Sequence, residues 1–227
     1  MKDTPMLHEE LLEIRDPVLR KVQDHPFWSG LRDGSLPAGA LRYFVQQDTG
    51  FLLPSYARAL ARCAATAPHD ADATLLGQSI VGTLEAADRL RQAYTGLAGP
   101  LGLPALGAQS PVDPAAHAHA CFFAAASARS FYAGLGALLP MVWFNAEVSD
   151  NLKNNSAAGS RYLPWVEVYH PGESYSYAVQ AFLDMVDRAG DTCSAAQRRL
   201  IVEQFSISIR YEWAFAECCL RQLSWPV

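Results

Sequence analysis

The stretch GLGALLPMVWFNAEVSDNL, Gly134 to Leu152, decides the fold. Its apolar residues run on without the alternation of a half-exposed strand, so it reads as the inner face of a buried helix. Yet Pro140, Met141, Trp143, Asn145 and Glu147 stand close together in it. A helix that only packs needs no asparagine or carboxylate there, because burying polar groups costs free energy unless they find partners. The polarity predicts a helix that borders a cavity.

Working outward, the same helical spacing recurs. Leu7, Leu11, Ile14, Val18 and Val22 repeat at steps of three and four. ALRYFVQQDTGFLLPSYARALARCAA, with Pro37 at N1, reads as a helix that Pro54 should kink by removing a ladder donor. Residues 70–98 make another long helix, and GPLGLPALGAQSPVDP after them is the clearest loop. Pro114–Ser127 and Phe131–Leu152 read as helices, followed by the loop KNNSAAGS. A short helix holds Trp165–Tyr169, and another runs from Ser174 to Ala189. Ser194 should cap the last helix, within which the β-branched FSISIRY is flanked by strong helix formers. No repeat and no linker divides the chain. The expectation is one all-α domain over residues 1–227.

Composition narrows the function. Half of the 227 residues are hydrophobic and 18% are charged, the profile of a compact globule. A net charge of −5 with no basic stripe argues against nucleic acid and anionic membrane as partners. No apolar run approaches the ~20 residues that span a bilayer. Five cysteines without a CxxC pair, behind a charged N-terminal segment, fit reduced thiols and a cytoplasmic location. No phosphate loop or GxSxG elbow occurs. Glu-x-x-His pairs are absent too, and His117 and His119 lie two apart, so neither a metal nor a cofactor is expected. His69 and His170 read as loop residues.

Three carboxylates lie among apolar neighbours: Asp48 in VQQDTGF, Glu147, and Glu212 in IRYEWAFAECC. Each could pair with an arginine or cap a loop. Together they fit a polar cavity between helices that takes a small ligand. His117 and Cys121, spaced i, i+4, share a helix face and could form a thiolate–imidazole pair, although a cysteine at such a position is commonly core.

These segments resemble a known family. HPFWSGLRDGSLPAGALRYFVQQDTGFLLPSYARALA is similar to the N-terminal signature of TenA/thiaminase II proteins (TENA/THI-4/PQQC-like), where His-Pro-Phe and Gly-[Thr/Ser]-Leu-Pro precede Gln-Asp and Tyr-Ala-Arg. ALLPMVWFNAEV resembles the family's Leu-Leu-Pro-Cys-x-Trp-x-Tyr segment, YLPWVEVY its Trp-Ile-x-x-Tyr, and RYEWAFAECC its Tyr-Glu-x-x-Phe. The matches keep their order over nearly the whole chain. The resemblance implies an all-α, heme-oxygenase-like bundle without heme, assembled as a homodimer or homotetramer. It also implies hydrolysis of an aminopyrimidine through a cysteine thiolate and a proton-moving glutamate.

Carried over by position, Glu212 matches the acid/base glutamate, Asp48 the substrate-binding aspartate and Tyr169 a ring-holding tyrosine. Trp143 and Glu147 match the neighbours of the nucleophile. At three positions the chain departs from the pattern. Met141 stands where the nucleophilic cysteine is expected, and a thioether offers no thiolate. Asn145 and Phe51 replace tyrosines. The expected function is binding and transformation of a small aminopyrimidine or related heteroaromatic. Hydrolysis would then use direct attack by water or a thiol relocated to Cys121. The alternatives are a metal-free enzyme of specialised metabolism with a different reaction on this fold, and a non-catalytic ligand-binding or regulatory protein.

Overall fold

The apolar stripes fold as α-helices in the computed structural model, which describes residues 6–107, 111–223 and 225. In chain order these are α1 (Leu7–Gln23), α2 (Pro26–Asp33), α3 (Ala38–Gln47), α4 (Leu53–Thr66), α5 (Asp70–Ala98), α6 (Pro114–Arg129), α7 (Phe131–Asn155), α8 (Leu163–Tyr169), α9 (Ser174–Thr192) and α10 (Ala195–Arg221). No strand occurs among the described residues, and FSISIRY lies within α10. Residues 108–110 of the expected 99–114 loop, and residues 1–5 of the charged N-terminal segment, fall outside the described residues.

Capping chemistry sets the helix starts. Ser194 accepts from the Gln197 amide while the Gln197 side chain returns to the Ser194 N–H, a reciprocal capping box. Ser130 and Asp113 cap α7 and α6 in the same acceptor role. His25 Nδ1 accepts from the Phe27 amide at 3.1 Å, so the His-Pro-Phe triplet is the start signal of α2, a helix that periodicity alone does not reveal. Pro37 sits at the N-cap of α3, one position earlier than expected.

The apolar stretch of the opening becomes α7, which packs along α10 and against α4, α6 and α9. Two glycines let it come close. A Cβ on Gly134 would run into Cys63 Sγ of α4, and one on Gly136 into the Ile201 carbonyl of α10. A backbone carbonyl cannot rotate away, so Gly136→Ala should cost about 1–3 kcal/mol, visible as a lower denaturant midpoint with an unchanged slope.

Pro140 inside α7 and Pro54 in the first turn of α4 each interrupt the backbone ladder. Pro140 removes a ladder donor inside α7. In the turn before it, Ser208 Oγ donates to the Ala137 carbonyl at 2.7 Å and Tyr56 Oη to the Leu138 carbonyl at 3.0 Å. Upstream of Pro54 the chain widens into a π-helical turn, Asp48–Leu52, between α3 and α4. Such turns often accompany functional sites, because the extra residue re-aims the side chains around it.

Candidate active site

The π turn, the α7 interruption and the middle of α10 converge on a cavity of about 730 Å³. Its wall includes Asp48 from the π turn, Tyr56 from α4, Met141 and Asn145 from α7, Tyr169 from α8, Tyr175 from α9 and Glu212 from α10. Trp28, Phe44 and Phe215 supply aromatic surface around them, and Tyr169 packs against Trp28 and Phe44 at ring distances of 5.8 and 5.9 Å. The α5 flank is lined by smaller side chains, among them Ser79, Gly82, Thr83 and Ala86.

The electrostatics of this chamber are unusual. Asp48 is buried and accepts no side-chain hydrogen bond from the described residues, and burial pushes its carboxyl up to about 7. Glu212 Oε1 is shielded from solvent and has no hydrogen-bond partner among the described residues. Burial first, and then the neighbouring Asp48 charge, raise Glu212 to about 8. Desolvation dominates both shifts, because nothing cationic compensates the buried charges. Near neutrality the pair therefore keeps a proton that either group can give or take. Carboxyls tuned in this way suit general acid–base chemistry.

Asn145 Nδ2 donates to Tyr169 Oη at 3.0 Å, which leaves the phenolic proton free to point elsewhere. Burial holds the Tyr56, Tyr169 and Tyr175 hydroxyls well above their ordinary range, so all three remain donors at any working pH. Away from its exposed rim the chamber thus offers two carboxyls, an amide and three phenols, with the Met141 thioether in the wall. No free thiol lines it.

Of the residues singled out from sequence, Asp48, Met141, Asn145, Tyr169 and Glu212 come together here. Five others do not line it. Trp143 and Glu147 lie on a different stripe of α7 from Met141 and Asn145, since an i, i+4 pair shares a face and i, i+2 does not. Arg15 of α1 covers the Trp143 ring at 4.3 Å and donates to Glu147 Oε1 at 2.8 Å. Glu147 thus takes the arginine-paired role that sequence left open for it. Phe51 leaves the chamber because in a π turn i and i+3 no longer share a face, and its ring stacks on His117 at 6.3 Å.

His117 and Cys121 do sit together, Nδ1 to Sγ 3.6 Å, but Cys121 is exposed on α6 and is absent from the chamber wall. Among the described residues no cluster of three His, Cys, Asp or Glu side chains could hold a metal ion. Tyr175 and Tyr56 went unrecognised as site residues. Tyr56 stands inside the Tyr-Ala-Arg segment, which was a usable signal, whereas nothing in ESYSYAV separates Tyr175 from the exposed Tyr177.

Comparison with known proteins places the all-helical bundle in a family. Residues 12–221 match the TENA/THI-4/PQQC family model, and the chain belongs to that family. It is 26% identical over 202 residues to an aminopyrimidine aminohydrolase of Bacillus subtilis strain 168, covering 88% of this chain and 84% of the relative. It is also 27% identical over 214 residues to the thiamine biosynthesis multifunctional protein ThiED of Corynebacterium efficiens, covering 93% of this chain but only 28% of that longer protein. A TenA homologue from Pyrococcus furiosus superposes with a TM-score of 0.79 at 17% identity, over 94% of this chain and all of the other. The fold is the all-α, heme-oxygenase-like bundle of TenA structures. No helix among the described residues is long and apolar enough to cross a membrane.

Proposed function

We propose that the chamber binds an aminopyrimidine or a closely related small heteroaromatic and that the protein exchanges an amino group of this ligand for the oxygen of water. One observation carries the reading. Asp48 and Glu212, both raised toward neutrality by burial, share a cavity whose wall contains no sulfur nucleophile. The names of the Bacillus and Corynebacterium relatives support a reaction of this kind in thiamin-related metabolism.

In this mechanism Asp48 and the tyrosine hydroxyls hold the ring and its amino substituent. Glu212, in its ionised form, takes a proton from an attacking water. One carbon–oxygen bond forms, one carbon–nitrogen bond breaks, and the proton returned by Glu212 leaves with the departing amine. Met141 cannot form a covalent adduct, so the route is direct or proceeds by water addition to the ring. The exposed Cys121 has no part in it.

The test is calorimetry with aminomethyl-aminopyrimidine, followed by single-turnover hydrolysis. Binding should weaken in Asp48→Ala, because the aspartate contact does not depend on a thiol. Met141→Cys should raise hydrolysis above that of the wild type. The rescue should be partial, since Asn145 occupies the position of a lost phenol and a misplacement of ~1 Å costs on the order of a hundredfold in rate. Failure of any aminopyrimidine to bind at millimolar concentration would overturn the proposal and bring a different reaction on the same fold to the front.

A further inference from the structure

Charge within the chamber is one-sided. Among the described residues its wall carries three carboxyls, Asp48, Glu85 and Glu212, and one cationic side chain, Arg89. Glu85 and Arg89 are exposed on α5 at the rim, so the interior holds two acids and no base. Glu212 Oε1 is shielded and unpartnered. Buried carboxyls elsewhere among the described residues have partners. Asp72 pairs with Arg188 at 2.6 Å and Asp187 with His8 at 2.6 Å, while Asp113 accepts from Tyr43 Oη at 3.1 Å and from the Ala115 amide. Among these buried carboxyls only the chamber's lack such a partner, and the rings of Trp28, Phe44, Tyr169 and Phe215 share the wall with them. Aromatic faces attract cations through their quadrupoles, most strongly where water is excluded.

We infer that the chamber is a receptor for a flat organic cation, which supplies the positive charge that the Asp48–Glu212 pair lacks. This deepens the proposed function by naming the charge state in which the ligand is taken up, a heteroaromatic ring carrying its positive charge on a ring nitrogen or an amidine-like edge. Neutral rings of the same shape fit the aromatic walls but leave the carboxyls uncompensated. Anionic ligands are excluded outright.

Uptake of a cation is linked to protons. A positive charge beside the pair favours ionisation of one carboxyl, and the proton it held leaves for solvent. The other titratable groups facing the pair do not interfere. Tyr56, Tyr169, Tyr175 and, behind Asp48, Cys219 are all held protonated above their usual range, while Met141 and Asn145 on α7 carry no titratable group. Affinity for a permanent cation should therefore rise with pH from 5.5 to 7, by up to about tenfold per unit, and level off once the pair is singly ionised.

The experiment compares N-methyl-para-aminopyridinium, a permanent flat cation, with para-toluidine, its neutral isostere, by calorimetry on the intact protein. At pH 7.5 the cation should bind at least about tenfold more tightly, a conservative ratio for a desolvated cation among aromatic faces and carboxylates. At pH 6, titrations in buffers of different ionisation heat should show about one proton released per cation bound. The preference should fall to near unity in Asp48→Asn and in Glu212→Gln, two independent variants either of which serves if the other fails to fold. Equal binding of both probes, tighter binding of para-toluidine, or no binding of either at millimolar concentration overturns the inference. Neither probe is an aminopyrimidine. A cation preference without aminopyrimidine hydrolysis would sink the proposed reaction and keep this inference, and hydrolysis without a cation preference would do the reverse.

Discussion

His119→Phe is expected to stabilise the protein, by more in acid than at neutral pH. His119 is 1% exposed on α6, between Phe123 at 4.2 Å and Tyr211 at 4.9 Å, and neither ring nitrogen has a hydrogen-bond partner among the described residues. Burial lowers its pKa from 6.5 to about 3. The unfolded chain thus binds this proton well before the native one. The stability tied to neutral His119 is fully present above pH 6.5 and is lost as the pH falls through 6.5 toward 3. At about 1.36 kcal/mol for each pH unit between those two values, the loss is on the order of 3–5 kcal/mol. Phenylalanine keeps the ring packing and removes both the titration and the unsatisfied N–H, which is worth a further ~1–3 kcal/mol at any pH. Urea unfolding should place the variant's midpoint above the wild type's at both pH 4.5 and pH 7.5, with the larger advantage at pH 4.5. An equal advantage at the two pH values would mean that His119 does not titrate in this way.

Glu212→Gln acts on the opposite limb. A carboxyl whose native pKa is raised, from 4.5 to about 8, makes the folded state the stronger proton binder. Its contribution is present below pH 4.5 and fades as the pH rises through 8, with Asp48 acting in the same sense up to about 7. The contribution of this pair should therefore be largest in weak acid and fall by on the order of 3–5 kcal/mol toward pH 8.5. Glu212→Gln should flatten that decline and unfold at a higher midpoint than the wild type at pH 8.5. Hydrolysis should fall by about 10²–10⁴, the usual worth of a general acid–base group. A variant that gains stability while losing turnover would identify Glu212 as a residue held in place at the expense of the fold. A variant that loses both would show instead that the carboxylate is structurally required.

How much of this was legible in the sequence follows from what each signal measures. Apolar periodicity and proline or serine punctuation located nearly every helix, because those patterns report burial and capping directly. They missed α2, eight residues long and started by a histidine cap that propensity does not weigh. Asp48 and Glu212 were legible because a carboxylate in an apolar stretch demands an explanation. Trp143, Glu147 and Phe51 were misplaced because resemblance assigns positions in a motif without assigning a helix face. Helical phase sends the first two toward Arg15, and the widened π turn sends Phe51 toward His117. The carbonyl contacts of Tyr56 and Ser208 beside Pro140 join residues 82 and 71 positions apart, a distance no local pattern spans.

Much of the recognisable signature serves as framework. His25 caps α2 and bonds Glu217 at 2.9 Å, and Gln47 ties the Pro111 carbonyl and the Asp113 amide to the base of the π turn. Met141 is different: half-buried in the chamber wall, it takes part in no hydrogen bond among the described residues. Exchange there therefore disturbs little of the architecture. Family membership therefore reports the scaffold, and the side chain at this one turn of α7 can change while the bundle around it folds as before.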